Sequence, residues 1–423
     1  MESTRRTWMK NAACGASALA TFTASVQQLH GAPIDRAASD ESAWHGIQQS
    51  FPVDRSIVNL NHAGVGTTPR VVADAVVHRT WEGEKTAPGT IFSYGPQLEP
   101  IRQGLATLFG ADPEEIAITR NATESLHAVL LGIPLAKGDE VLATTLDYWA
   151  MLDALQQREE REGVVVKKLK VPTPCTDLNE IVRIFEAAIT PRTKLILVSH
   201  PINLNGQLFP IGALSDMAHK HGVDVVVDAA QSFCLADYKW TDLRCDYLGT
   251  SLHKWLQAPK GTGMLYVKKQ KIAKIWPLFS AGSTRPKADI RKFELYGTWP
   301  ETILAIDDAI AFHNAIGSER KEARLRYLTD YWAKGVRDIP GLRFHTAFGK
   351  ETSCGISCVQ LEGVDVTKLK DWLLEDRRIL TMDVTRRTKE FAGIRVSPGL
   401  STTIEELDRF IDALRIARAK FNG

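Results

Sequence analysis

The chain lacks the features that would place it across a membrane, on a nucleic acid or around a metal. A spanning helix needs roughly 20 consecutive apolar residues, and the weakly apolar, uncharged run near the start, Ala12 to about Val26, is short and rich in Ala, Ser and Thr. No stable insertion of the mature chain in a membrane is expected. Neither charge sign is in excess: Lys+Arg 52 against Asp+Glu 50 leaves a formal net charge of +2. The two signs are interspersed and form no basic stripe, so a nucleic acid is not an expected partner. Cysteine is scarce. Cys14, Cys175, Cys234, Cys245, Cys354 and Cys358 make neither a CxxC pair nor a His/Cys ligand spacing, which removes the usual signs of a metal or redox site. Cys354 and Cys358 alone are close enough to permit a disulfide, and nothing around them calls for one. Internal repeats and low-complexity segments are also missing, which excludes a solenoid.

What is present is an ordinary globular composition, 44% apolar and 24% charged over 423 residues. That length supports one large domain and a smaller one. The first residues stand apart, since Thr4, Arg5, Arg6, Thr7, Trp8, Met9 and Lys10 precede the weakly apolar run. This resembles a bacterial twin-arginine export signal, with Trp8 and Met9 where such signals prefer Phe and Leu. The resemblance implies a signal over residues 1–31, the twin-arginine export machinery as a partner, and a periplasmic or other extracytoplasmic location. A cytoplasmic protein with a basic tail is the alternative.

Residues 32–70 read as an N-terminal arm, polar from Ala32 to about Asp54. Beyond it, short β-branched runs alternate with amphipathic segments. Strands are expected at Ile116–Thr119, Val141–Thr144, Leu195–Ser199 and Val225–Val227, and helices at Ser125–Leu131, Leu178–Ile189 and Ile211–Lys220. Continuous apolar strands joined by helices predict an α/β fold with a mostly parallel sheet between helical layers, here over residues 71–300. A smaller α+β C-terminal domain follows over residues 301–423. It begins with helical stretches at Ile303–Ile316 and Glu319–Ile339, continues through a strand at Gly355–Gln360, a helix at Val366–Leu374 and a strand at Ile394–Ser397, and closes with a helix whose capping box pairs Thr403 with Glu406.

Ligands of such sheets bind beyond the carboxyl ends of the strands, and three chemical segments fall there. Ser251, Leu252, His253, Lys254 and Trp255, followed by the glycine-bearing Ala258–Gly263, put a lysine on a loop where it can be desolvated and reach an aldehyde. Asp228, directly after Val225–Val227, is an acid at the end of a buried strand that needs a cationic or N–H partner. Thr119 to Ser125 opens a helix after a strand, where backbone N–H groups can hold a phosphate. Each has an ordinary structural reading by itself: a solvated lysine, a helix cap, a bare N-terminus.

In this order along the chain they resemble the class V aminotransferases of pyridoxal 5'-phosphate (PLP) fold type I, above all the isopenicillin N epimerase-like branch and the cysteine desulfurases. The similarity starts at Leu60, Asn61, His62, Ala63, Gly64 and reaches Leu407. It implies that PLP is held on Lys254 as a Schiff base, that Asp228 pairs with the ring nitrogen, and that Gln231 and Asn203 approach the ring hydroxyl. It further implies that Ser251, His253, Ala122 and Thr123 surround the phosphate and that Tyr148 or Trp149 stacks on the ring. Arg395 would clamp a substrate carboxylate. Gly297 and Thr298 would reach the neighbouring subunit's phosphate in a homodimer. The sequence departs from the desulfurases in having no cysteine from Trp372 to Gly393, and from the epimerase-like pattern in Leu146 and in Ser401, Thr402, Thr403.

The implied activity is PLP-dependent chemistry at the alpha carbon of an amino-acid or peptidyl amino substrate, epimerase- or aminotransferase-like. Three other readings stand beside it. They are periplasmic tailoring of the glutamyl group of a pyoverdine-type siderophore, a C–S lyase of the ergothioneine type, and a PLP-binding protein without catalysis, against which the presence of both Lys254 and Arg395 speaks.

Overall fold

The computed structural model describes residues 20–279, 286–294 and 300–421. The export motif at Arg5 and Arg6, and Gly297 with Thr298, lie outside the described residues.

The strands, in chain order, are β1 (Val58–Asn59), β2 (Ile116–Thr119), β3 (Glu140–Thr144), β4 (Val165–Leu169), β5 (Thr193–Ser199), β6 (Asp224–Asp228), β7 (Tyr247–Ser251), β8 (Gly263–Val267), β9 (Leu342–Phe344), β10 (Ser357–Leu361), β11 (Ile379–Leu380), β12 (Met382–Asp383) and β13 (Ile394–Val396). Seven of them form one sheet in the order β2-β8-β7-β6-β5-β3-β4. The neighbours from β7 to β4 pair in parallel, whereas β8 is antiparallel to both β7 and β2. Six strands therefore end on one edge of the sheet. The central strands are buried on both faces, which is why each reads as an unbroken apolar run. Two core clusters cover the faces, one around Leu142, Ile196, Val198, Val225 and Val227 and the other around Ala117, Val141, Leu197, Val226 and Leu265.

A second sheet, ordered β12-β13-β10-β9 and antiparallel throughout, packs with the helices Ser318–Val336, Val366–Glu375 and Ile404–Phe421. Trp332, Val359, Leu373, Val396, Phe410 and Leu414 fill that core. The capping box holds: Thr403 Oγ1 accepts from Glu406 N–H at 3.3 Å, and Thr403 N–H donates to Glu406 Oε2 at 3.0 Å. The helical stretch expected at Ile303–Ile316 is two helices, Pro300–Leu304 and Ile306–Ile316, joined at Ala305.

The N-terminal segment differs most from expectation. Residues 20–30 are helical, and Ile34–Ser39 and Glu41–Gln49 are helices where a polar stretch was expected. Asp40 caps the latter, its carboxylate accepting from Ser42 and Ala43 N–H, and Trp44 and Ile47 on that helix are fully buried. The chain then runs along the second sheet, with β1 parallel to β11 and His62 N–H donating to Ser397 O at 3.1 Å. It goes on to cross the lysine loop at Gly66, whose N–H donates to His253 O at 3.1 Å. A Cβ there would lie 1.9 Å from Lys254 O, so only glycine permits this crossing.

Among the described residues no helix is long and apolar enough to cross a membrane, and no group of His, Cys, Asp and Glu is arranged to hold a metal.

Candidate active site

The aligned strand ends converge on one cavity of about 280 Å³, lined by Asn121, Ala122 and Thr123 after β2, Tyr148 after β3, Ser199 and Asn203 after β5, Asp228 and Gln231 after β6, and Ser251, His253 and Lys254 after β7. Parallel pairing produces this convergence, since it puts every strand-to-helix loop on one edge. Every sequence-expected site residue among those described borders this cavity or the adjoining chamber. That chamber, of about 150 Å³, shares Gly64, Tyr148, Asn203, Gln231 and Lys254 with the first and adds Asp147, Trp149, Arg387 and Arg395.

Lys254 is half-buried in the cavity wall, and desolvation lowers its pKa from 10.5 to about 8, with Asp228 opposing the shift and Arg395 adding to it. An amine with this pKa is about a tenth neutral at pH 7, roughly a few hundredfold more than an unperturbed lysine. Asp228 is 6% exposed. Burial raises its pKa, offset by the Ala230 N–H donating to Oδ1 at 3.0 Å and by the charge of Lys254. The carboxylate thus has one backbone donor and capacity for a further N–H. Beside it, His200 is held neutral by burial, with a pKa pushed down to about 4 and Nδ1 without a partner.

The opposite end of the cavity is the start of the helix Ala122–Gly132. Asn121 caps it by accepting from Glu124 N–H at 2.8 Å, and Ala122 N–H donates to Ser251 Oγ at 2.9 Å. His253 Nδ1 lies 3.2 Å from Thr262 O. Helix N–H groups, hydroxyls and an imidazole suit a phosphate, while the buried Asp228 suits a protonated ring nitrogen and Lys254 an aldehyde. The residues present therefore fit PLP.

One expected ligand, Gln231, has another commitment. Gln231 uses both ends of its amide, donating to Ala63 O at 2.9 Å and accepting from Trp255 Nε1 at 2.9 Å, and so ties the N-terminal arm to the lysine loop while bordering the cavity. Asn203 accepts from Arg395 Nη1 through its backbone carbonyl at 2.9 Å, a bond that leaves its side-chain amide uncommitted. Tyr148 and Trp149 contact each other, with ring centroids 5.3 Å apart.

Arg395 is 3% exposed. Nη1 donates to Asn203 O and Nη2 to Asn61 Oδ1 at 2.7 Å, and Nε has no partner. Burial lowers its pKa from 12.5 to about 10. A buried guanidinium that lines a chamber and is met only by neutral oxygens, with no carboxylate among the described residues, suits an anion.

Sequence reasoning passed over Asp147 and Arg387. Asp147 accepts from Ser199 N–H and Oγ at 2.8 and 2.7 Å and from Thr144 N–H and Oγ1 at 2.6 and 2.9 Å. It thereby fixes the turn that presents Tyr148. Burial pushes its pKa up to about 6. It carried the same signal as Asp228, an acid just past a buried strand. Arg387 follows Arg386 on the loop between β12 and β13, and the basic pair was its only mark. The five described cysteines are all free and buried, so Cys354 and Cys358 form no disulfide.

The "Aminotransferase class-V" family model matches residues 58–410. Isopenicillin N epimerase of Streptomyces clavuligerus is 28% identical over 393 residues, covering 88% of this chain and 97% of that protein. The enzyme of the same name from Amycolatopsis lactamdurans is 29% identical, covering 88% and 98%. A probable cysteine desulfurase of Synechocystis sp. is 26% identical, covering 87% and 94%. Among solved structures, a C-DES mutant with glycine covalently linked to its PLP cofactor superposes with a TM-score of 0.79 at 21% identity, covering 87% of this chain and 98% of that one. These likenesses share the fold with its large, mostly parallel sheet.

Proposed function

Since the chain belongs to the class-V aminotransferase family and is a PLP-dependent enzyme of fold type I, we propose that it removes a proton from the alpha carbon of an amino-acid or peptidyl amino substrate. One observation carries this reading: Lys254, with its pKa near 8, shares a chamber with the buried guanidinium of Arg395, which has no carboxylate partner among the described residues. Bound PLP supplies an aldehyde for amines and an electron-withdrawing ring that acidifies the alpha C–H. Arg395 holds the substrate carboxylate, and Asp228 keeps a proton on the ring nitrogen. Lys254 takes the alpha proton and returns it as general base and acid.

The relatives divide between epimerases and desulfurases, and the thiols favour the former side. No cysteine lies between Trp372 and Gly393. Cys358, opposite Arg395 in the β10–β13 ladder, is fully buried, and burial raises its pKa. It is a poor persulfide carrier.

Incubating holoenzyme with amino acids in deuterated water and reading deuterium at the alpha carbon tests the step. Exchange that disappears in Lys254→Ala supports the reading. Rapid sulfide release from cysteine that survives Arg395→Ala would refute it.

Tailoring of a pyoverdine-type glutamyl group after twin-arginine export is a second reading, favoured by the Arg5–Arg6 leader. Carbon dioxide release from a glutamyl substrate would select it.

A further inference from the structure

The chamber that holds Lys254 and Arg395 has a second arginine on its wall. Arg387 lies with its guanidinium carbon 5.5 Å from the centroid of the Trp149 ring. Through Met382 and Arg387 the chamber continues into an outer vestibule of about 480 Å³, lined also by Asn61, Lys370, Thr381, Asp383 and Arg386. Cations on this route are Lys254, Arg395, Arg387, Arg386 and Lys370.

The acids that face it are already engaged. Asp147 is held by Thr144 and Ser199. Asp383 feels the charge of Arg386, but its oxygens accept from Thr385 and Thr367. Lys370 pairs with Asp371, and nearby Glu390 accepts from Thr145. Among the described residues neither Arg386 nor Arg387 makes an ion pair. Arg387 and Arg386 are both exposed, and a guanidinium held over an aromatic ring at the chamber mouth with no carboxylate partner is placed to meet an incoming oxyanion.

We propose that Arg387, backed by Arg386, binds a second anionic group of the substrate. The favoured substrate then carries one carboxylate for Arg395 beside its amine and a further carboxylate or comparable oxyanion displaced outward from the amino-bearing carbon. This rests on the reading that the substrate amine meets Lys254, and it narrows that reading to acidic amino compounds.

The test uses acids without an amine, so that it does not depend on Lys254 chemistry. Straight-chain dicarboxylates from succinate to pimelate, and monocarboxylates of equal length, are titrated into holoenzyme by calorimetry. One dicarboxylate length should bind at least about tenfold more tightly than its monocarboxylate partner, the scale of one charge-assisted contact. Arg387→Ala should erase that margin while leaving monocarboxylate binding unchanged, and Arg387→Lys should restore part of it. Absence of a margin at every length, or a margin that survives the Arg386→Ala, Arg387→Ala double variant, overturns the proposal. Failure of the parent reading looks different: alanine, which has no second anion, would then show no alpha-carbon exchange even though the dicarboxylate margin is present.

Discussion

At the residue scale the chemistry turns on one partly desolvated amine. Burial holds Lys254 near pKa 8 against 10.5 in water, and only the neutral amine attacks an aldehyde. Below pH 8 the neutral fraction falls about tenfold per unit. Capture of PLP by apoenzyme should therefore accelerate with rising pH and level off above about 8, read as growth of the cofactor's absorption band. A flat profile from pH 6 to 9 would mean that the amine is not desolvated as the structure describes. The linkage has the same sign: the unfolded chain binds the extra proton between about pH 8 and 10.5, so this residue makes folded apoenzyme more stable as pH rises through that window. Asp228 offers a second check. Its replacement by Ala removes the one acid that lines the cavity among the described residues, so alpha-carbon exchange should slow by at least about a hundredfold, the scale of one preorganised electrostatic group. Thermal unfolding should change little, because the carboxylate is costly to bury.

At the element scale, legibility followed burial. Val225–Val227 was readable because both faces of β6 are covered, whereas β4 went unread because Val165–Leu169 is a half-exposed edge strand carrying Lys167 and Lys168. The antiparallel direction of β8 could not be read, since strand direction leaves no local pattern. The N-terminal helices escaped because their cores are few and small: Ala37, Ala38 and Ala43 bury little beside Trp44 and Ile47. Of the site, residues at strand ends were legible, since their segments announce both strand and loop. Arg387 was not, because it reaches the chamber only through packing on Trp149. The helix over residues 20–30 adds a consequence. Phe22 stacks on Phe312 at 5.0 Å, Leu29 is fully buried, and Ser25 Oγ accepts from Gly46 N–H at 3.1 Å. Gly46 allows the crossing, as a Cβ there would lie 2.5 Å from Thr21 O. Burying Phe22 and Leu29 stabilises the fold by about 3 kcal/mol. A protein beginning at Ala32 should melt several degrees below one beginning at Ala20, and Gly46→Val should mimic the loss. Equal melting temperatures would show that this helix is dispensable, as a leader removed up to residue 31 would require.

At the scale of the whole molecule the question is whether one chain completes the site. Val77 and Trp81, four residues apart on one face of the helix Arg70–Lys85, are 57% and 70% exposed, and Trp276 is 71% exposed, apolar surface that suits a partner. The family resemblance supplies the other half of the argument, with Thr298 reaching the phosphate of a neighbouring subunit. We therefore expect a homodimer in sedimentation, driven toward monomer by Trp81→Glu or Trp276→Glu. A fully loaded, active monomer would oppose this. Dimerisation by itself does not show that the sites are shared, and mixed dimers separate the two ideas. Lys254→Ala abolishes the amine in its own subunit, whereas Thr298→Ala would weaken phosphate binding in whichever subunit Thr298 serves. If Thr298 acts across the interface, a dimer of one variant of each kind has both lesions in one site and neither in the second. That second site should bind PLP with wild-type affinity and give about half of the wild-type exchange rate per dimer. If Thr298 serves its own subunit, every site in the mixed dimer carries one lesion and no wild-type site can form. Co-expressed variants with different affinity tags, purified over both and titrated with PLP, would therefore decide between a shared site and two independent ones.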